Sequence, residues 1–236
     1  MSIKKHIPNT ITCLNVFSGC VAVYLAFRGE YQGVLIAILL AAVFDFMDGL
    51  AARMLKAYSP MGKELDSLAD VISFGLAPGA LVFSLLTHAG MGMYVPFVGF
   101  VIPVFSALRL AKFNVDERQT TSFIGLPTPA NAIFWVGMAF SYTEFLESQP
   151  WVLIGGAMVF SYLLLAELPM FSLKFKNLSW KDNQSQYLFL VGCIAILVGT
   201  GVGAFSFIIG WYILLSLLLW LKFKWNARYA KSTNPR

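Results

Sequence analysis

The chain has 236 residues, of which 58% are apolar and only 12% charged, with a formal net charge of +5 and a mean hydropathy of +0.72. A soluble domain carries about a quarter charged residues, so a water-soluble globular class is excluded. The apolar runs are too long and uniform for the alternating strands of an outer-membrane barrel, and in a membrane chain the distribution of the positive charge matters more than its sum.

In chain order the apolar runs predict spans at about 10–27, 32–55, 66–87, 93–112, 129–147, 151–172, 187–203 and 205–221. The expected fold class is therefore all-α and integral to the membrane, a polytopic bundle of about eight transmembrane helices within one domain, residues 1–236. The first run follows "MSIKKHIPN" without a small-residue cleavage site, so no cleavable signal peptide is expected. The last two runs are continuous, and one helix over 187–221 would reach about 52 Å against a hydrocarbon core of about 30 Å. Gly199, Gly201 and Gly203 interrupt that stretch, which favours a tight hairpin, with one very long tilted helix as the alternative. With eight spans and both termini cytoplasmic, sixteen of the seventeen Lys and Arg fall on the cytoplasmic side, Arg28 being the exception. A basic cytoplasmic tail is expected over about 222–236, lying on anionic headgroups. Cys13, Cys20 and Cys193 sit inside apolar segments without a CxxC or a histidine partner, and are expected to be buried packing residues.

Four aspartates break this pattern. Asp45 and Asp48, three residues apart, share one helix face at the cytoplasmic end of the second span; Asp66 and Asp70, four apart, share one face at the start of the third. The linker "MLKAYSPMGKE" contains a Ser-Pro turn, so an antiparallel hairpin brings both pairs to one depth. Each such acid costs roughly 2.5–3.5 kcal/mol at a helix centre on insertion scales. Either Arg53, Lys56 and Lys63 pair with them, or hard divalent cations do. Gly49, Ala52 and Gly62 are small where leucines would be expected. They serve tight helix packing or leave room for a flat ligand, and the sequence leaves both open.

Arg109 and Lys112 lie one turn apart at the cytoplasmic end of the fourth span, as positive-inside anchors or as an anion site, with Asn114 beside them. In "LPTP", Thr128 is expected to cap a helix that starts at Pro129, the alternative being that the stretch closes a ligand pocket. Asn9, Thr12 and Asn15 share one face at the start of the first span. His6 and His88 fall on opposite sides of the bilayer and form no pair, and Glu167 needs no special role.

The pattern Asp45-x2-Asp48-Gly49-x2-Ala52-Arg53-x8-Gly62-x3-Asp66-x3-Asp70 resembles the complete signature of the CDP-alcohol phosphotransferase family, at every spacing. The resemblance implies transfer of a substituted phosphate from a CDP-linked donor to an alcohol, with release of CMP. It implies that Asp45, Asp48, Asp66 and Asp70 hold a pair of divalent ions, Mg2+ or Mn2+, and that Asp70 is the general base. Gly49, Ala52, Arg53 and Gly62, with Asn9 and Thr12, would bind the CDP donor; Arg109 and Lys112 would bind the acceptor or a phosphate. The stretches "IPNTITCLNVFSG", "ELDSLADVISFGLAPG", "ALRLAKFNV" and "FIGLPTPANA" resemble the bacterial-type branch that acts on CDP-diacylglycerol and L-serine. That branch implies a homodimer in the cell (inner) membrane, with membrane lipids and no nucleic acid as partners and the active site on the cytoplasmic side. Glycerol 3-phosphate or inositol remains the alternative acceptor. A cation transporter using the intramembrane aspartates is the alternative of another class.

Overall fold

The structure, a computed structural model, describes residues 6–116, 123–173, 177 and 179–233, with no description of the side chains at 123, 202 and 226–233. Lys4, Lys5, Arg118, Lys174, Lys176 and Arg236, which enter the orientation argument, lie outside the described residues. Eight helical rods are present among those described. They are α1 (His6–Phe27), α2 (Tyr31–Met54), a continuous rod of α3 (Pro60–Asp70), a π-helical segment Val71–Leu76 and α4 (Ala77–His88), then a 3-10 turn Val95–Phe100 running into α5 (Val101–Val115). After them come α6 (Thr128–Ser148), α7 (Pro150–Leu165), α8 (Gln184–Thr200) and α9 (Ala204–Thr233). Two short segments, β1 (Phe123–Ile124) and β2 (Pro169–Met170), pair antiparallel between the loops. Five of the rods are long and apolar enough to cross a membrane, while α7 and α8 are apolar but shorter. The chain is thus an all-α polytopic membrane protein.

The expected hairpin is present. Helix α8 stops at Thr200, Gly201 takes a φ of +56°, and α9 departs at Ala204. A residue with a Cβ is strained at that φ, so the chain turns there instead of running on as one rod. The tail expected from 222 is a helical continuation of α9 as far as Thr233. At 30 residues α9 is about 45 Å long, so its basic end projects beyond a hydrocarbon core of about 30 Å.

The bundle is sided in a way that lipid as solvent permits. Every buried residue of α1 is a proline or is small or polar: Pro8, Thr12, Asn15, Ser18, Gly19, Ala22 and Ala26. Its large apolar residues, such as Phe17 and Tyr24, point outward. Close backbone approach is the reason, since helices in lipid gain little from burying leucine and much from near contact. At Gly19 a Cβ would collide with Ser73 Oγ. Cys13 and Cys20 correct the sequence expectation: both are exposed and Cys193 is half-buried. The inward stripe of α1 is already taken by these small and polar residues, and a thiol faces lipid at little cost.

The main apolar core joins α1, α2, α4 and α6 around Ala22, Ile38, Leu81, Leu85 and Val136. A second, smaller core holds Leu126, Leu164, Leu168, Met170 and Tyr212 beneath the β1–β2 pairing. The α2–α3 turn, the end of α5 and the α7–α8 connection gather at one end of the bundle. Lys63 Nζ donates to the Asn114 carbonyl (3.1 Å), Asn114 Nδ2 donates to Ser67 Oγ (2.9 Å), and Lys112 meets Glu167. That end carries the site.

Candidate active site

Local sequence sets the aspartate hairpin. After Met54 the chain turns through Lys56, at a φ of +50°, and the amide of Ala57 bonds back to the Ala52 carbonyl. Ser59 then caps α3, its Oγ accepting from the Gly62 amide at 3.0 Å, with Pro60 in the first turn. The result brings one carboxylate oxygen from each of Asp45, Asp48 and Asp66 within 4.8 Å of the others. Asp70 follows one turn after Asp66 on α3, and its Oδ1 is buried without a partner.

Three full negative charges at that spacing repel by about 3–4 kcal/mol per pair even at an effective dielectric near 20. The basic residues of the linker do not offset this. Among the described residues the ion pairs are Arg28–Glu30 and Lys112–Glu167, and no aspartate of the cluster takes part. Arg53 Nε donates to the Gly49 carbonyl (3.0 Å) and Lys63 is engaged with Asn114. The donor set is all oxygen, convergent and lacking a cation partner, so it fits a hard divalent ion.

A cavity of about 330 Å³ opens beside the carboxylates, between the start of α1, the end of α2 and the start of α3. Asn9, Thr12, Gly49, Ala52, Arg53 and Gly62, the six residues expected at the donor, all line it, together with Asp48 and Asp66. A Cβ at Gly49 would meet nothing within 4 Å. Its small size therefore keeps space open and does not serve packing. At Gly62 a Cβ would come within 3.1 Å of Asn9 Oδ1 and of Ser59 Oγ. Thr12 has a second contact: its hydroxyl donates to Asp48 Oδ2 at 2.5 Å, orienting that carboxylate. Asn15 shares the inward face of α1 with Thr12 but does not line the cavity. It is fully buried, and its carbonyl accepts from Ser73 Oγ at 3.0 Å.

The residues expected at the acceptor separate. Arg109 is 7% exposed, with Nη1 3.5 Å from Thr128 Oγ1 and its guanidinium 5.7 Å from the centre of the Phe113 ring. Its field reaches Asp70, and its Nε has no partner. Lys112 lies at the rim against Glu167 Oε1, at 3.5 Å. Thr128 is not the cap expected of it. Helix α6 begins at Thr128 with no side-chain cap bond, because the hydroxyl turns to Arg109 instead. Thr128 and Glu167 are the contacts that sequence reasoning missed. "LPTP" marked the place of the first without its partner, and nothing local marked the second.

Comparison with known proteins bears directly on this arrangement. The family model described as CDP-alcohol phosphatidyltransferase matches residues 5–166. The chain belongs to that family. It is an enzyme of the phosphatidyl-transfer class, which sets the cation-transporter alternative aside. Among its relatives is a CDP-diacylglycerol–serine O-phosphatidyltransferase of Bacillus subtilis (strain 168), 33% identical over 70% of this chain and 89% of that protein. A protein of the same description from Helicobacter pylori (strain J99) is 30% identical over 91% of this chain and 90% of its own length. One from Saccharomyces cerevisiae is 37% identical over 57% of this chain and 54% of its own.

Proposed function

We propose that the enzyme transfers the phosphatidyl group of CDP-diacylglycerol to the hydroxyl of L-serine, giving phosphatidylserine and CMP. The observation that carries the reading is the junction of three convergent carboxylates with a cavity lined by all six expected donor residues. The choice of serine rests on the three relatives named above, each of which bears that activity in its name.

The cavity takes the CDP portion, with Gly49 and Ala52 leaving room for the flat base and Arg53 beside phosphate. Two divalent ions, Mg2+ or Mn2+, held by Asp45, Asp48 and Asp66 with Asp70 alongside, would neutralise charge on the donor pyrophosphate. Asp70 Oδ1 is buried, unpartnered and within the field of Arg109. It takes the proton of the serine hydroxyl as that oxygen attacks the phosphorus bearing diacylglycerol. The bond from this phosphorus to the bridging oxygen breaks, and CMP leaves with the electron pair. Arg109 receives the serine carboxylate, for which a guanidinium has matching donor geometry. Serine reaches the site from the cytoplasmic side of a cell (inner) membrane, an orientation supported by the positive-inside count.

The test is CMP release by the purified protein in detergent with CDP-diacylglycerol and Mn2+ or Mg2+. Serine, glycerol 3-phosphate and inositol are offered in turn, with an EDTA control. Release with serine alone, abolished by EDTA, is expected. Release with another alcohol but not with serine would overturn the acceptor assignment and leave the donor site standing.

A further inference from the structure

The family match ends at residue 166, yet the acceptor end of the site leans on residues beyond it. β2 pairs with β1 in the register Phe123↔Met170 and Ile124↔Pro169. The pairing continues past β1: the Gly125 amide donates to the Leu168 carbonyl and the Leu126 amide to the Leu163 carbonyl, both at 2.9 Å. Gly125 has a φ of +79°, and a Cβ there would lie 2.5 Å from the Leu164 carbonyl oxygen. The segment is therefore seated hard against the end of α7. Three residues on, Thr128 accepts from Arg109.

What secures the other side of this seat is α9. Tyr212 is 5% exposed and shares the second core with Leu126, Leu164, Leu168 and Met170. Its phenol donates to the Phe171 carbonyl at 3.1 Å. Phe171 follows the last paired residue of β2, so the bond ties down the chain just where the strand pairing ends. The Tyr212 ring also packs on Phe171 (5.0 Å between centroids) and on Phe189 (5.8 Å). A leucine would fill the space but leave that carbonyl without its donor.

We propose that Tyr212, from the last helix and outside the matched segment, is a positioning residue for the acceptor end. It holds the α7–α8 connection, which seats Gly125–Thr128 against Arg109. The inference rests on the reading that the alcohol binds at Arg109, and it adds that acceptor affinity is set in part from α9. The donor cavity, on α1, α2 and α3, makes no use of this brace.

The full-length enzyme in detergent provides the test, with KM for serine and KM for CDP-diacylglycerol measured separately for the wild type, Tyr212→Phe and Tyr212→Leu. Tyr212→Phe is expected to raise the serine KM about fivefold to tenfold, the worth of one buried hydrogen bond. The CDP-diacylglycerol KM is expected to stay within about twofold, because uniform loss of packing would move both. Tyr212→Leu should move the serine KM further in the same direction. Thermal stabilisation by CDP with Mn2+ reports that each variant is folded. Should Tyr212→Phe not fold, Tyr212→His, which keeps a donor at shorter reach, is read in the same way and is expected to split the constants less. Equal movement of both KM values, or an unchanged serine KM in folded Tyr212→Phe, would overturn the proposal. If the wild type uses glycerol 3-phosphate or inositol in place of serine, the serine reading fails. The same split measured with that alcohol then decides the role of Tyr212. If the wild type releases CMP with no alcohol, both fall together.

Discussion

The donor end and the acceptor end are built differently. The donor end is made of three consecutive elements, α1, α2 and α3, and its functional groups surround an open cavity. The acceptor end is made of α5 and α6, with α7 and α9 behind them, and Arg109 and Thr128 are buried in it. An open site built from sequence neighbours loses function when a group that touches ligand is changed. A buried site assembled from distant elements also loses it when a supporting contact moves, since a misplacement of about 1 Å can cost about a hundredfold in rate.

The largest expected effect falls where the two ends meet. Asp70→Asn removes the group that takes the proton, and transfer should drop by at least about a hundredfold. Binding of CDP with Mn2+, read by thermal shift, should persist, because Asp45, Asp48 and Asp66 still converge without it. Asp66→Asn should lose both transfer and metal-dependent CDP binding. Near-normal turnover in Asp70→Asn would break the assignment of the base.

A mirrored pair of variants sharpens the comparison between the ends. Gly49→Val puts a branched side chain into space that is empty within 4 Å of a Cβ. It should raise the CDP-diacylglycerol KM at least about tenfold and leave the serine KM close to normal. Arg109→Ala should do the reverse, with a comparable rise for serine, because it deletes the charge-assisted contact to the carboxylate. Kinetics with both substrates varied give the two constants. Parallel changes in the two variants would mean that the ends are not separate sites.

A smaller effect is expected one contact away from the carboxylates. Thr12→Val keeps the shape of the side chain but removes the 2.5 Å bond to Asp48 Oδ2. Groups that orient metal ligands are worth about tenfold to a hundredfold in metal affinity. The activating concentration of Mn2+ should rise by about tenfold, with activity largely recovered at high Mn2+. Failure to recover would place Thr12 on the donor itself.

How far these groups could be read in advance follows from what each owes to its neighbours. The aspartates were legible because helix geometry alone converts spacings of three and four into shared faces, and buried charge in lipid is too costly to be incidental. The glycine hairpin was legible for a similar reason: one long helix there would outrun the bilayer. Arg109 and Lys112, by contrast, look equivalent in sequence. What buries one and leaves the other at the rim is Thr128 and Glu167, 19 and 55 residues away. Tyr212 acts across 41 residues. No local pattern encodes such contacts. The cysteines were misread for a different reason: lipid and protein core are both apolar, so hydrophobicity alone does not say which way a residue in a span faces.

The smallest expected effect tests whether the rim belongs to the acceptor end. The Lys112–Glu167 pair has side chains 38% and 67% exposed at a separation of 3.5 Å. Pairs of that kind contribute roughly 0.2–1 kcal/mol, which corresponds to no more than about a fivefold change in a binding constant. Lys112→Glu places two carboxylates side by side and should raise the serine KM by about that factor, more at low salt than at high. Glu167→Lys alone should act in the same direction by repelling Lys112. Combining the two exchanges restores opposite charges across the same gap. If Lys112 acts only by tethering the α7–α8 connection to α5, the double variant should recover most of the lost affinity. If Lys112 itself receives the acceptor's anion, the double variant should stay impaired, because a lysine at 167 stands on the wrong side of the pair to replace it. The serine KM of the three variants at two salt concentrations therefore separates a brace from a binding group at Lys112.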